Sequence, residues 1–175
     1  MSLRFFVALL ALALIPAGAG AKEVKVEASR AIKLAVIDAD RKAPGREAFH
    51  QTFADTLGYE LGQRLKEPTP VKPVTQDADR AAFGLGNGIF DVALVVGHNL
   101  PRALVSSDFD VLKAAPTSGK GKFHLYFIIR KDDASLAKLM QDAFPEALKG
   151  QFFLRAYAKQ LGEDPDHFGV VLAAK

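Results

Sequence analysis

Three short polar stretches carry the side chains best suited to chemistry. Gly97-His98-Asn99-Leu100-Pro101-Arg102 ends in an arginine, whose planar guanidinium can grip a carboxylate or phosphate through two parallel hydrogen bonds. Asp38 to Arg46 gathers Arg41, Lys42 and Arg46 beside Asp38 and Asp40, a cationic loop able to attract an anion. Thr75 to Asp79 adds a hydroxyl and further polar groups. Together they nominate Asp38, Arg41, Thr75, His98, Asn99 and Arg102 as a binding set for a small anion. Arg102 is the expected anchor, and Pro101 stiffens the approach to it. The plainer reading of each charge is a solvated surface group or an exposed salt bridge.

Other chemistries fail on spacing or type. Cysteine is absent, which excludes disulfides, thiolate metal sites, iron–sulfur clusters and cysteine nucleophiles. His50, His98, His124 and His167 show no H-x-x-x-H or H-E-x-x-H spacing, so the sequence nominates no metal site. Ser106-Ser107-Asp108 lacks the G-x-S-x-G elbow of a hydrolase and reads as a polar turn. Gly84-x-Gly86-x-Gly88 follows a helical pattern and precedes a strand, the reverse of a phosphate-binding loop, and reads as a helix end with a tight turn. No cofactor and no catalysis are expected.

The elements that must position the three stretches alternate. Ile32 to Ile37 reads as a buried strand ending at Asp38. Phe49, Phe53, Leu57, Leu61 and Leu65 recur every four residues, painting one apolar face on a helix over 47–66. Gly58 and Gly62 weaken that helix but permit a close approach by another element. Val71 to Thr75 is a short strand whose Pro73 places it at a sheet edge. Asp77 caps a short helix, and Phe90 to Val96 is the clearest buried strand. Strand, helix, strand, helix, strand argues for parallel pairing through right-handed crossovers.

The pattern then changes. Phe109–Ala114 and Phe123–Arg130 are strands joined by the turn Pro116 to Lys122, too short for a helical crossover, so they form an antiparallel hairpin. Asp132 or Asp133 caps a helix over 134–148. Gly150 separates it from a last amphipathic helix bearing Phe153, Ala156, Tyr157 and Leu161. Phe168 to Leu172 is a final strand or a packed extension. The expected fold is α/β: a mainly parallel sheet with helices on both faces and one antiparallel hairpin strand. Ligands in such sheets gather outside the C-terminal ends of the strands, where the three polar stretches would converge.

Composition fits a globular chain: 175 residues, 49% hydrophobic, 25% charged, net charge +3. With acidic and basic residues interspersed and no basic stripe, nucleic-acid binding is not expected. Arg4 precedes eleven apolar residues, Phe5 to Ile15, and Ala19-Gly20-Ala21 matches an A-x-A cleavage site. Eleven residues fall short of the about 20 that span a bilayer. Residues 1–21 are therefore expected to be a cleaved signal peptide, cut after Ala21. Residues 22–175 then form one exported domain, periplasmic or secreted.

This order of motifs resembles the first lobe of periplasmic solute-binding proteins. Gly88-Ile89-Phe90-Asp91-Val92-Ala93-Leu94 is similar to that family's entry to its third strand. Arg102 stands where many amino-acid-binding members carry a Thr-x-x-Arg loop, although the threonine is missing here. Phe123 to Arg130 with Lys131-Asp132-Asp133-Ala134-Ser135-Leu136 looks like the family's late strand, turn and helix. The resemblance implies a small-molecule ligand and a membrane permease, as in ABC transport, or a sensor as partner. Family members of this type have two lobes, whereas residues 22–175 suffice for one, so a homodimer could rebuild the cleft. The alternative is a non-catalytic accessory protein that has lost solute binding.

Overall fold

The computed structural model describes residues 31–117, 123–162 and 167–173. The expected signal peptide, the leader after it, and most of the turn Pro116 to Lys122 lie outside the described residues. Among those described, no helix is long and apolar enough to cross a membrane.

Six strands form one sheet. β1 (Ile32–Asp38), β2 (Val71–Thr75) and β3 (Val92–Gly97) alternate with α1 (Arg46–Leu65) and α2 (Ala78–Gly86). A 3-10 turn at Arg102–Leu104 leads to β4 (Phe109–Pro116) and β5 (His124–Arg130). Helices α3 (Ala134–Ala147) and α4 (Gln151–Leu161) precede β6 (Phe168–Leu172). Across the sheet the order is β2-β1-β3-β5-β4-β6.

The fold is α/β, but the expectation of a mainly parallel sheet is corrected. β1 pairs in parallel with β2 and β3, whereas β3–β5, β5–β4 and β4–β6 are antiparallel. The cause is neighbour order rather than strand direction. β1 to β4 all run one way; β5 and β6 run the other. Because the hairpin returns β5 into the gap between β3 and β4, both of its ladders are antiparallel, and β6 adds a third. Crossover lengths in the sequence report direction, and they do not report this insertion.

Alternation along the central strands feeds two cores. Leu34, Val36, Val92, Leu94, Val96, Leu125, Phe127 and Ile129 face α1, α3 and α4 in the larger core. Ala35, Ile37, Ala93, Val95, Tyr126 and Ile128 face α2 and the 3-10 turn in the smaller one, against Ala81, Leu85 and Leu104. Helices thus cover both faces, as expected. In the larger core Phe53 meets Phe127, Phe144 and Phe153 at ring-centroid distances of 6.2, 6.2 and 5.8 Å.

Local rules explain the element ends. Asp77 accepts the Arg80 N–H at the start of α2 and Asp133 accepts the Leu136 N–H at the start of α3. Asp132 instead pairs with Arg130 at 2.7 Å. Pro73 lies on β2, an edge strand, where its missing N–H is tolerated. Gly58 of α1 faces the Thr69 carbonyl at such short range that an added Cβ would come within 2.8 Å of it.

Candidate functional site

The C-terminal end of β1 carries a buried cluster of charge. Asp38, Arg46 and His50 are only 5%, 4% and 3% exposed. Asp38 closes β1, while Arg46 and His50 stand one turn apart at the start of α1, so the β1–α1 connection folds both side chains back onto the strand end. His50 Nε2 lies 2.9 Å from Asp38 Oδ2. Arg46 Nε is 3.7 Å from the same oxygen, and its Nη2 is 3.4 Å from Asp40. The Asp40 N–H donates to Asp38 Oδ1 at 2.9 Å. Burial alone would raise the Asp38 carboxyl; the His50 hydrogen bond, the Asp40 N–H and the Arg46 charge outweigh it and hold it below the ordinary value. Arg46 Nη1 is buried and has no hydrogen-bond partner among the described residues.

An aromatic partner completes the cluster. The Arg46 guanidinium lies 5.6 Å from the centroid of the Phe123 ring, a cation–π arrangement. The His98 ring stacks on Phe123 at 4.7 Å. Tyr157 donates its hydroxyl to the Phe123 carbonyl at 2.9 Å. The His98 carbonyl accepts from Tyr126 at 3.1 Å and lies 3.3 Å from His124 Nδ1. These contacts draw the loop after β3 toward β5.

Two adjoining concavities open beside the cluster. One, of about 660 Å3, is lined by Arg41, Lys42, Glu47, His50, Thr75 and Arg80, among others. The other, of about 540 Å3, is lined by Asp38, Asp40, Arg41, Lys42, Gln76 and neighbours. Arg41, Lys42, Gln76 and Asp77 belong to both. Arg80 is paired with Asp77 at 3.5 Å. Arg41 and Lys42 are exposed and make no ion pair among the described residues. Gly45, with φ +84°, starts α1 without a capping side chain, so the first N–H groups of α1 receive no side-chain cap.

Of the nominated residues, the structure therefore brings together Asp38, Arg41 and Thr75. His98 joins the cluster through the Phe123 ring and lines neither concavity. Asn99 and Arg102 are exposed and line neither; Arg102 sits on the 3-10 turn, whose Leu104 packs in the smaller core. Sequence reasoning missed His50 and assigned Arg46 only a general cationic role. Their signal was the i, i+4 spacing at the start of α1, beside the apolar stripe that begins at Phe49 and opposite a strand ending in aspartate.

The arrangement defines an open α/β sheet with a polar concavity outside the C-terminal ends of its first two strands. Compared with protein-family models, curated proteins and solved structures, the chain has no significant match.

Proposed function

We propose that this chain is an exported, non-catalytic protein that binds a small anionic solute in the concavity beside Arg41 and Lys42. One observation carries the reading: two exposed cations, in no ion pair among the described residues, line both concavities at the strand ends where open α/β sheets receive ligands. The uncapped start of α1 favours negative charge in the same region. The leader at residues 1–21 and the sequence resemblance to one lobe of solute-binding proteins support export and delivery to a permease or sensor. A single lobe covers only one side of a ligand, so affinity is expected to be weak, micromolar to millimolar.

The test is a thermal-shift series with inorganic phosphate, sulfate, dicarboxylates and amino acids. A ligand at 100 times its Kd adds about 2.7 kcal/mol, which such a series detects. The expected result is a shift with at least one anion that disappears in the double variant Arg41→Ala, Lys42→Ala. An equal shift in that variant, or none with any compound, overturns the reading.

A second reading is a partner-binding accessory protein. It is favoured by Tyr59 and Phe152, 64% and 80% exposed, which flank a cavity of about 530 Å3 on the outer side of α1. It becomes the better reading if no anion stabilises the protein.

A further inference from the structure

The two edges of the sheet are built differently. β2 ends one side with Lys72 and Pro73, a charge and a missing N–H that discourage strand addition. β6 ends the other with Phe-Gly-Val-Val-Leu, which has no charge and no proline. Its Val171 and Leu172 are 59% and 63% exposed. Among the described residues no strand lies on its outer side.

The hydrogen-bond register shows what that edge offers. Ala173 N–H donates to Val111, and Thr117 N–H donates to His167. In an antiparallel ladder the bonded positions alternate, so residues 167, 169, 171 and 173 turn their backbone groups toward β4. Phe168, Val170 and Leu172 accordingly turn theirs outward: three donors and three acceptors on a five-residue strand.

We propose that β6 is a dimerisation edge, through which two copies of this chain join antiparallel across a two-fold axis into one continuous twelve-stranded sheet. A second copy fits because the edge is self-complementary. Antiparallel addition continues the β4–β6 ladder, the two-fold axis gives each copy the same contacts, and an uncharged strand meets its own copy without repulsion. The contact is small against the roughly 1,600 Å2 of a standard interface, so the dimer is expected to be weak. β6 lies at the far side of the sheet from β1 and β2. The dimer therefore carries its two concavities at opposite ends and does not close one cleft over a ligand.

Sedimentation velocity on the purified protein from low micromolar to about 1 mM, a range chosen for a weak complex, tests the proposal. Leu172→Pro removes an outward N–H while leaving the β4 ladder intact, and Val171→Lys places a charge on the edge. Wild type should shift from monomer to dimer with concentration, and both variants should stay monomeric with unchanged circular dichroism. Leu172→Pro should also keep any anion-induced thermal shift of the wild type. A wild type that is monomeric throughout, or variants that dimerise like it, would overturn the proposal.

Discussion

His50 and Asp38 hold each other 2.9 Å apart at the base of the β1–α1 connection, both almost wholly buried. The same carboxylate faces the Arg46 guanidinium. One carboxylate thus meets two side chains that are both screened from water. Its removal leaves the buried Arg46 only the exposed Asp40 carboxylate, 3.4 Å from Nη2, while Nη1 has no hydrogen-bond partner among the described residues. Asp38→Ala is therefore expected to destabilise the protein by about 3–5 kcal/mol, read as a lower urea midpoint. Asp38→Asn keeps the shape but not the charge and should recover only part of that loss. A midpoint unchanged in both variants would show that the cluster does not hold the loop.

The cluster also sets a pH dependence. The Asp38 carboxyl is held below its ordinary value in the folded chain, so folding favours its ionised form. Its contribution is complete above the unfolded value of about 3.9 and is lost as pH falls through the lower native value. Asp132 is also lowered, by its hydrogen bond from Arg130, so the useful quantity is the difference between wild type and Asp38→Asn. That difference should shrink as pH falls below about 4. Urea titrations at pH 7 and pH 3 measure it.

Gly58 is required by packing. Alanine normally stabilises a helix interior by about 1 kcal/mol over glycine. Here the added methyl would meet the Thr69 carbonyl at 2.8 Å and Val71 at 3.5 Å. Backbone oxygen cannot step aside cheaply, and overpacking costs about 1–3 kcal/mol. Gly58→Ala should therefore lower the melting temperature. Gly86→Ala, where the added atom meets nothing, is the control for propensity alone.

The two-core layout gives paired expectations for the central strands. Leu94 points into the larger core and Ile128 into the smaller, and both are fully buried. Truncating either to alanine should cost about 2–5 kcal/mol. Denaturant unfolding should return similar large losses from both. A small loss at Ile128 alone would show that the α2 side closes over the cavity more readily.

Most of this architecture was legible because its signals are local. The four-residue spacing of Phe49, Phe53, Leu57 and Leu61 locates α1; Pro73 marks an edge; Gly58 anticipates the close approach of the segment leading into β2. Sheet order was not legible, because nothing within β5 states that it inserts between β3 and β4. The candidate site divides along the same line. Arg41 and Asp38 follow a strand end directly and fall where the strand end lies. Arg102 was placed by analogy with a strand-end loop, yet stacking of His98 on Phe123 and capture of its carbonyl draw that loop aside.

That displacement distinguishes two anchors for an anion. Arg41 lines both concavities, whereas Arg102 lines neither. A hydrogen bond to a charged group contributes about 1.5–3 kcal/mol, so Arg41→Ala should weaken anion binding by roughly tenfold or more. Arg102→Ala should leave affinity within about twofold, the small long-range effect of one screened surface charge. The cations are exposed, so binding should also weaken as salt rises from about 0.05 to 0.5 M, and less steeply in Arg41→Ala. Isothermal titration of an anion found by thermal shift measures all three. Loss of binding on Arg102→Ala with Arg41→Ala unaffected would move the site to the loop after β3.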